Sequence, residues 1–313
     1  GNWSCGFIPY LTTFVQIPNV ANKQVLSSGD IGTANNLIID NNSSLTVAGN
    51  TIQISGTITN SGTFTATAGI VEMKGSGAQI IGANVFSANT IKDLIINNPS
   101  GVTLLGPLNI TGIVNTPIGN LFTDGNLSLL STAAQTALID GSGTGTITGN
   151  VTMQRYLPSG FGYKYFSSPF QAATVSEFGD DMNLADPFPS FYRYDENRTS
   201  SGWVSYINPA GILNPMQGYA VNFGSSAAAN TTDVTGIVNN GSLSMTLYNN
   251  NNTYTKGFNL VGNPYPSPID WDALSGWTKT NIDDALYFFK ASTTDQYGGT
   301  YSTYINKVSS DGL

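Results

Sequence analysis

The residues of this chain that could do chemistry are paired carboxylates and a set of late tryptophans. Asp180-Asp181 stands near Asp186, Asp195 adjoins Glu196, Asp270 is close to Asp272, and Asp283 adjoins Asp284. Calcium would suit such groups, because it takes about six to eight oxygens from carboxylates, amides and backbone carbonyls. None of them has the spaced ligands of an EF-hand loop or a calcium-binding nonapeptide. Helix capping and loop solvation are therefore the plainer reading, and a Ca2+ ion the sharper one. A glycosidase needs two carboxylates facing each other across a cleft, which adjacency in sequence does not supply. Trp203, Trp271 and Trp277 could form a platform for a glycan or another partner. Packing in a core or on a sheet face is the structural alternative for the same rings.

Other chemistries are closed to these residues. There is no histidine and a single cysteine, Cys5, so histidine-based triads, His-ligated zinc and Cys-x-x-Cys redox sites are excluded. Cys5 reads as a small buried residue, with a disulfide to something outside the sequence as the alternative. Only 10% of residues are charged, and Asn, Thr, Ser and Gly fill the polar positions. A net charge of −8 and a pI near 4.3 argue against nucleic acid, whose phosphates require a basic patch. No apolar run approaches the ~20 residues of a transmembrane helix, and no signal peptide opens the chain. Starting at Gly1, the chain reads as a mature or excised piece whose export signal lies elsewhere.

The elements that would position these side chains are strands. Residues 1–34 form an aromatic lead-in with Trp3, Phe7, Tyr10 and Phe14, expected to cap the open end of the next region. From residue 35 the pattern becomes short β-type runs punctuated by glycines at 49, 56, 62, 69, 75 and 82. Strands this short, near-evenly spaced, predict the coils of a solenoid. Residues 35–49 match residues 92–106 at an offset of 57, with Leu37-Ile38-Ile39 falling on Leu94-Ile95-Ile96. Three glycine-bounded segments per coil of roughly 19 residues make that offset three coils, the period of a triangular parallel β-helix of about five coils. An antiparallel sandwich of hairpins is the alternative. The rod offers little chemistry: residues 1–150 hold no arginine, and Lys92-Asp93 reads as a solvated pair. Its Asn and Thr rows read as turn caps and side-chain ladders.

The run GSGTGTITG at residues 141–149 marks a boundary, after which tyrosine and phenylalanine become frequent and all three arginines occur. The domains expected are a lead-in over 1–34, a solenoid over 35–149 and a second β-domain over 150–313. That second domain contains a broken repeat. FGYKYFSSPF at 161–170 aligns with GFNLVGNPYPSPIDW at 257–271, so that Gly162 through Phe170 falls on Gly257 through Tyr265 at an offset of 95. The same offset puts Phe191-Tyr192-Arg193-Tyr194 on Leu286-Tyr287-Phe288-Phe289, and after a small gap Tyr206-Ile207 falls on Tyr304-Ile305. The alternate prolines Pro264, Pro266 and Pro268 cannot donate to a ladder, so their segment is an extended edge or crossing piece. The first copy continues through NPMQGYAV at 214–221, and the second should reach its equivalent just after Leu313. The expected result is an exposed sheet edge, completed by residues beyond Leu313 or by a strand from another subunit.

The lead-in NWSCGFIP, the run SGTITNSGTFTATAGIVEMKGSGAQIIG, the join GNVTMQRYLP and the pair YFSSPF and NPYPSPIDW together resemble large cell-surface proteins of Bacteroidota exported by the type IX secretion system. The resemblance implies an outer-surface or extracellular location and an adhesin-like or structural role. It carries no catalytic residues, and no sorting domain is present in this sequence.

The sequence thus predicts an all-β chain: a parallel β-helix-like solenoid followed by a two-repeat, jelly-roll-like β-sandwich. The function expected is non-enzymatic, a stalk, filament or surface-attached adhesin. Its expected partners are copies of itself or other surface proteins and glycans, with no nucleic acid, no transmembrane segment and no cofactor. The alternative is a glycan-binding module of a secreted polysaccharide-active protein.

Overall fold

A computed structural model describes residues 7–19, 24–26 and 31–310. Cys5 and Trp3 lie outside the described residues. The chain divides into two compact units, Gly1–Arg155 with Thr235–Asn240, and Tyr156–Val234 with Gly241–Leu313. Both are built of strands, and among the described residues no helix is long and apolar enough to cross a membrane.

The first unit is a parallel β-solenoid of about six turns. At the usual interstrand spacing these stack to about 30 Å. Its strands alternate buried and outward positions, and strands one coil apart pair in parallel so that like positions stack. One column runs Ile52, Val71, Leu94, Val114, Ile139, each in register with the next and each buried. Others run Leu108, Leu127, Val151 and Val102, Leu121, Ile147. A column of this kind removes apolar surface from water only when a neighbouring coil is present, so the unit is stabilised by stacking rather than by any single coil. Phe64 and Phe86 are buried side by side, their centroids 4.9 Å apart.

The parallel ladders exclude the hairpin-sandwich alternative for this region. Coil length is less uniform than the glycine spacing predicts. Ser44 pairs with Thr63, 19 positions on, and Leu121 with Ile147, 26 positions on. The offset of 57 does not survive as register: Leu37–Ile39 stacks in a sheet with Val15–Ile17 and Ile58–Asn60, whereas Thr90–Asn97 belongs to a different sheet. Insertions are absorbed at the coil corners, which breaks any fixed period while leaving the buried columns intact. Residues of the lead-in are themselves part of a coil, because Val15–Ile17 pairs with Leu37–Ile39 and Ile31–Ala34 with Thr51–Ile54. The segment Thr235–Asn240 also belongs to this unit; Thr152 and Thr235 share a hydroxyl hydrogen bond of 2.9 Å.

Polar side chains tie coil to coil. Asp40 accepts from Gln16, Asp140 from Asn115, and Glu72 from both Gln53 and Asn97. Asn36 caps Thr57, and Asn120 caps Thr146, each through backbone and hydroxyl together. Asn98 is fully buried and donates to Gly77 O and to Gln79, both at 2.8 Å.

In the second unit, Tyr163–Phe166, Tyr219–Asn222, Phe191–Tyr194 and Trp203–Ser205 form a four-stranded antiparallel sheet in that spatial order. One face carries Phe166, Phe191 and Tyr219; Phe166 and Phe191 close on Phe178 from the short turn Val175–Phe178, and Tyr219 packs against Phe191. The other face carries Tyr163, Tyr165, Tyr192, Tyr194 and Trp203. A second sheet holds Ala285–Ala291, Gly299–Ile305 and Val308–Ser309. Its Phe289 stacks on Tyr165 at 4.9 Å, and the Tyr165 and Tyr301 hydroxyls meet at 2.6 Å. The two sheets thus pack through an aromatic layer, as a β-sandwich.

The internal repeat is visible in three independent geometries. The first hairpin pairs Tyr192 with Ser205, Arg193 with Val204 and Tyr194 with Trp203. The second pairs Tyr287 with Thr303, Phe288 with Ser302 and Phe289 with Tyr301, the same register at offsets of 95 and 98. Ser168 Oγ accepts from Phe170 N, and Asn263 Oδ1 accepts from Tyr265 N. The ring pair Tyr163–Tyr192 at 6.2 Å is repeated as Phe258–Tyr287 at 5.4 Å. The proline segment forms no ladder of its own; Val261 makes one isolated antiparallel bridge to Gln217.

Candidate functional site

The structure distributes the candidate residues over separate places in the second unit. Trp203, on the first hairpin, is half-buried; its ring lies edge-on to Tyr194 at 5.1 Å and tilted to Tyr165 at 6.0 Å. Trp271 and Trp277 are brought together, T-shaped at 5.1 Å, in the loop preceding the second hairpin. Trp271 donates its indole N–H to Asp284 at 2.8 Å, and Trp277 donates to Asp270 O. Lys279 lies 4.2 Å from the Trp271 ring centroid and pairs with Asp284 at 2.9 Å. The Lys279 hydrogen bond, with that of Trp271 adding, holds Asp284 below the usual carboxylate range. Both indole N–H groups of this pair are thus spent within the loop.

The carboxylates sort differently from their order in sequence. Asp186 is held by Asn183, while Asp181 turns toward Thr232 and Asn230. Burial raises Asp181 and Asp233 above the usual carboxylate range, and repulsion from Asp180 adds to both. Asp272 accepts from the Tyr304 hydroxyl, and Asp270 from the Asp272 backbone. Among the described residues no three acidic, histidine or cysteine side chains are grouped so as to hold a metal ion.

Glu196 is the most enclosed of the acids, with 3% of its surface exposed. Its carboxylate accepts from Asn250 through backbone and side chain, from Thr255 Oγ1 and from Gly257 N. Burial acts to raise its pKa, but these hydrogen bonds outweigh it and hold the group below its ordinary value. The Asn-rich loop around residues 249–257 is wrapped on this one side chain. Beside it opens a shallow polar cleft of about 220 Å³, lined by Arg193, Tyr194, Asp195, Gln217, Tyr248 and Asn259. Arg193 and Asp195 pair at 3.3 Å along its wall. Sequence reasoning missed this cleft, because its lining comes from four separated stretches. The one local signal was the asparagine run with Tyr248 ahead of it.

A stacked parallel solenoid joined to a repeat-built, aromatic-layered sandwich defines the class of protein. The chain belongs to a family described as a domain of unknown function (DUF8693), whose model matches residues 67–312. No curated protein and no solved structure matches it.

Proposed function

We propose that this is a non-enzymatic structural or adhesin-type protein of the extracellular or outer-surface compartment. In this reading the solenoid is a stalk and the sandwich unit meets the partner, which is another copy of the chain or a surface protein or glycan. One observation carries the reading. Three carboxylates of the solenoid, Asp40, Glu72 and Asp140, are committed to its own ladders, each holding an amide from a neighbouring coil. Acid–base chemistry needs a group free to exchange a proton with a substrate; these groups tie coils together instead. A surface of uncharged Asn, Thr and Ser, and the resemblance to type IX-exported surface proteins of Bacteroidota, support the location.

Protease shaving of intact source cells, followed by immunogold electron microscopy, tests it. Surface label lost on shaving is the expected result. Antigen that stays protected until lysis would sink the proposal, as would turnover on a polysaccharide panel.

The cleft beside Glu196 favours glycan binding as a second reading. Two tyrosines line it together with amide, guanidinium and carboxylate groups, aromatic faces and hydrogen-bonding groups that a sugar could use. A glycan array with the native chain and Tyr248→Ala tests this, and identical profiles for the two would remove it.

A further inference from the structure

Asparagine followed by glycine occurs once in the 313 residues, at Asn240-Gly241. The pair matters chemically because a backbone nitrogen can attack the side-chain amide of an asparagine that precedes it. A side chain on the attacking residue shields that nitrogen, and glycine has none. The structure leaves the approach open. Asn240 and Gly241 are both exposed. Among the described residues Gly241 N enters no hydrogen bond, and a Cβ built on Gly241 would meet nothing within 4 Å.

Asn240 also has a structural task. It is the last residue of the segment Thr235–Asn240 that returns to the solenoid, in which Val238 and Asn239 are buried. Its Nδ2 donates to Ile147 O, in the solenoid strand Ile147–Thr148, and to Val238 O, both at 3.2 Å. Both bonds engage the amide nitrogen, and neither involves Cγ, the atom under attack.

We propose that Asn240-Gly241 is a self-modification site, at which the folded protein deamidates Asn240 and so loosens the end of the returning segment. Gly241 N attacks Asn240 Cγ, and the new N–C bond closes a five-membered succinimide. The Cγ–Nδ2 bond breaks, and Nδ2 leaves as ammonia with the proton that Gly241 N gives up. Solvent water then adds to one of the two imide carbonyls and opens the ring. Opening at Cγ leaves aspartate in an unchanged main chain. Opening at the backbone carbonyl carbon leaves isoaspartate, whose main chain is longer by one carbon. Either product replaces the amide donor with a carboxylate, which repels the carbonyl oxygens of Ile147 and Val238 where the amide bonded them. The reaction needs no enzyme, and the inference does not rest on the protein being a surface stalk.

The test ages the 313-residue chain at mildly alkaline pH beside a peptide with the sequence of residues 237–244, IVNNGSLS, and follows both by peptide mass spectrometry. Asn240 should convert first among the asparagines of the chain. Its rate should be no less than about a tenth of the peptide's, since only two modest hydrogen bonds restrain the amide. A slower rate, or another asparagine converting faster, overturns the inference. Asn240→Asp supplies one product directly. Its amides over residues 235–238 should exchange hydrogen about tenfold faster than those of the unmodified chain, with Val102–Leu104 unchanged. Equal exchange over 235–238, or a rise that extends to Val102–Leu104, overturns the loosening.

Discussion

Gly119→Ala should destabilise the solenoid far more than Gly125→Ala, although both glycines have positive φ, +85° and +78°. For either position the left-handed backbone costs an alanine about 1–2 kcal/mol. The smaller unfolded-state entropy of alanine returns about 0.4–1 kcal/mol. At Gly125 that is the whole effect, because an added Cβ meets nothing within 4 Å. At Gly119 the Cβ would overlap the carbonyl oxygen of Asn98 on the adjacent coil and lie 2.7 Å from its carbonyl carbon. That contact is with backbone and no rotamer change relieves it. The coils must separate, loosening the bonds from Asn98 N to Ile118 O and from Gly101 N to Asn98 O, each about 1 kcal/mol. The expected losses are about 3 kcal/mol for Gly119→Ala and about 1 kcal/mol for Gly125→Ala. Urea unfolding followed by circular dichroism measures both, and the gap of about 2 kcal/mol is some thirtyfold in the folding equilibrium. Equal losses, or a larger loss at Gly125, would refute the reasoning that coil contact at Gly119 requires the absence of a side chain.

Asn98→Ala should cost about 1–3 kcal/mol, since it removes the bonds that a fully buried amide makes to Gln79, to Gly77 O and to the Ser100 N–H; the same unfolding assay reads it. Asp233→Asn should raise the melting temperature at pH 7. A carboxyl whose folded pKa is raised weakens the fold above that pKa, so the gain should shrink as pH falls through the folded pKa and vanish below the unfolded one. Glu196→Gln should do the opposite. A depressed folded pKa stabilises above the unfolded value and is lost as pH falls through the folded one, so the variant's deficit at neutral pH narrows in acid. A pH series of melting curves checks both signs. Trp203→Ala should cost about 2–3 kcal/mol through lost contacts with Tyr165, Tyr192 and Tyr194; a near-neutral result by calorimetry would return Trp203 to the ligand-facing rings.

Much of the fold was legible because strand patterning is local. Alternation in Thr51–Ile54 or Leu108–Ile110 marks which side chains turn inward, whatever partner they find. The repeat in the sandwich unit was legible for the same reason: Phe191–Tyr194 and Ala285–Ala291 carry like side chains at like steps, and like strands form like hairpins. The offset of 57 misled because sequence similarity between coils reports only that both are coil strands. Which coil stacks on which depends on corner lengths, and these vary from coil to coil. The candidate site was least legible. Asp180-Asp181 looked like a pair, but Asp181 meets Asn230 and Thr232 from about fifty residues away, and Glu196 is enclosed by a loop that far downstream.

The sequence by itself determined the all-β character, the change of composition near residue 150, and the equivalence of GFNLVGNPYPSPIDW with FGYKYFSSPF, all of which follow from side-chain period and turn chemistry. Only the tertiary structure decided that Thr235–Asn240 returns to the solenoid, and that Trp271 meets Trp277 while Trp203 joins a tyrosine layer. Those are facts about which distant segments meet. They are set by stacking and burial between chain stretches whose sequences carry no record of one another.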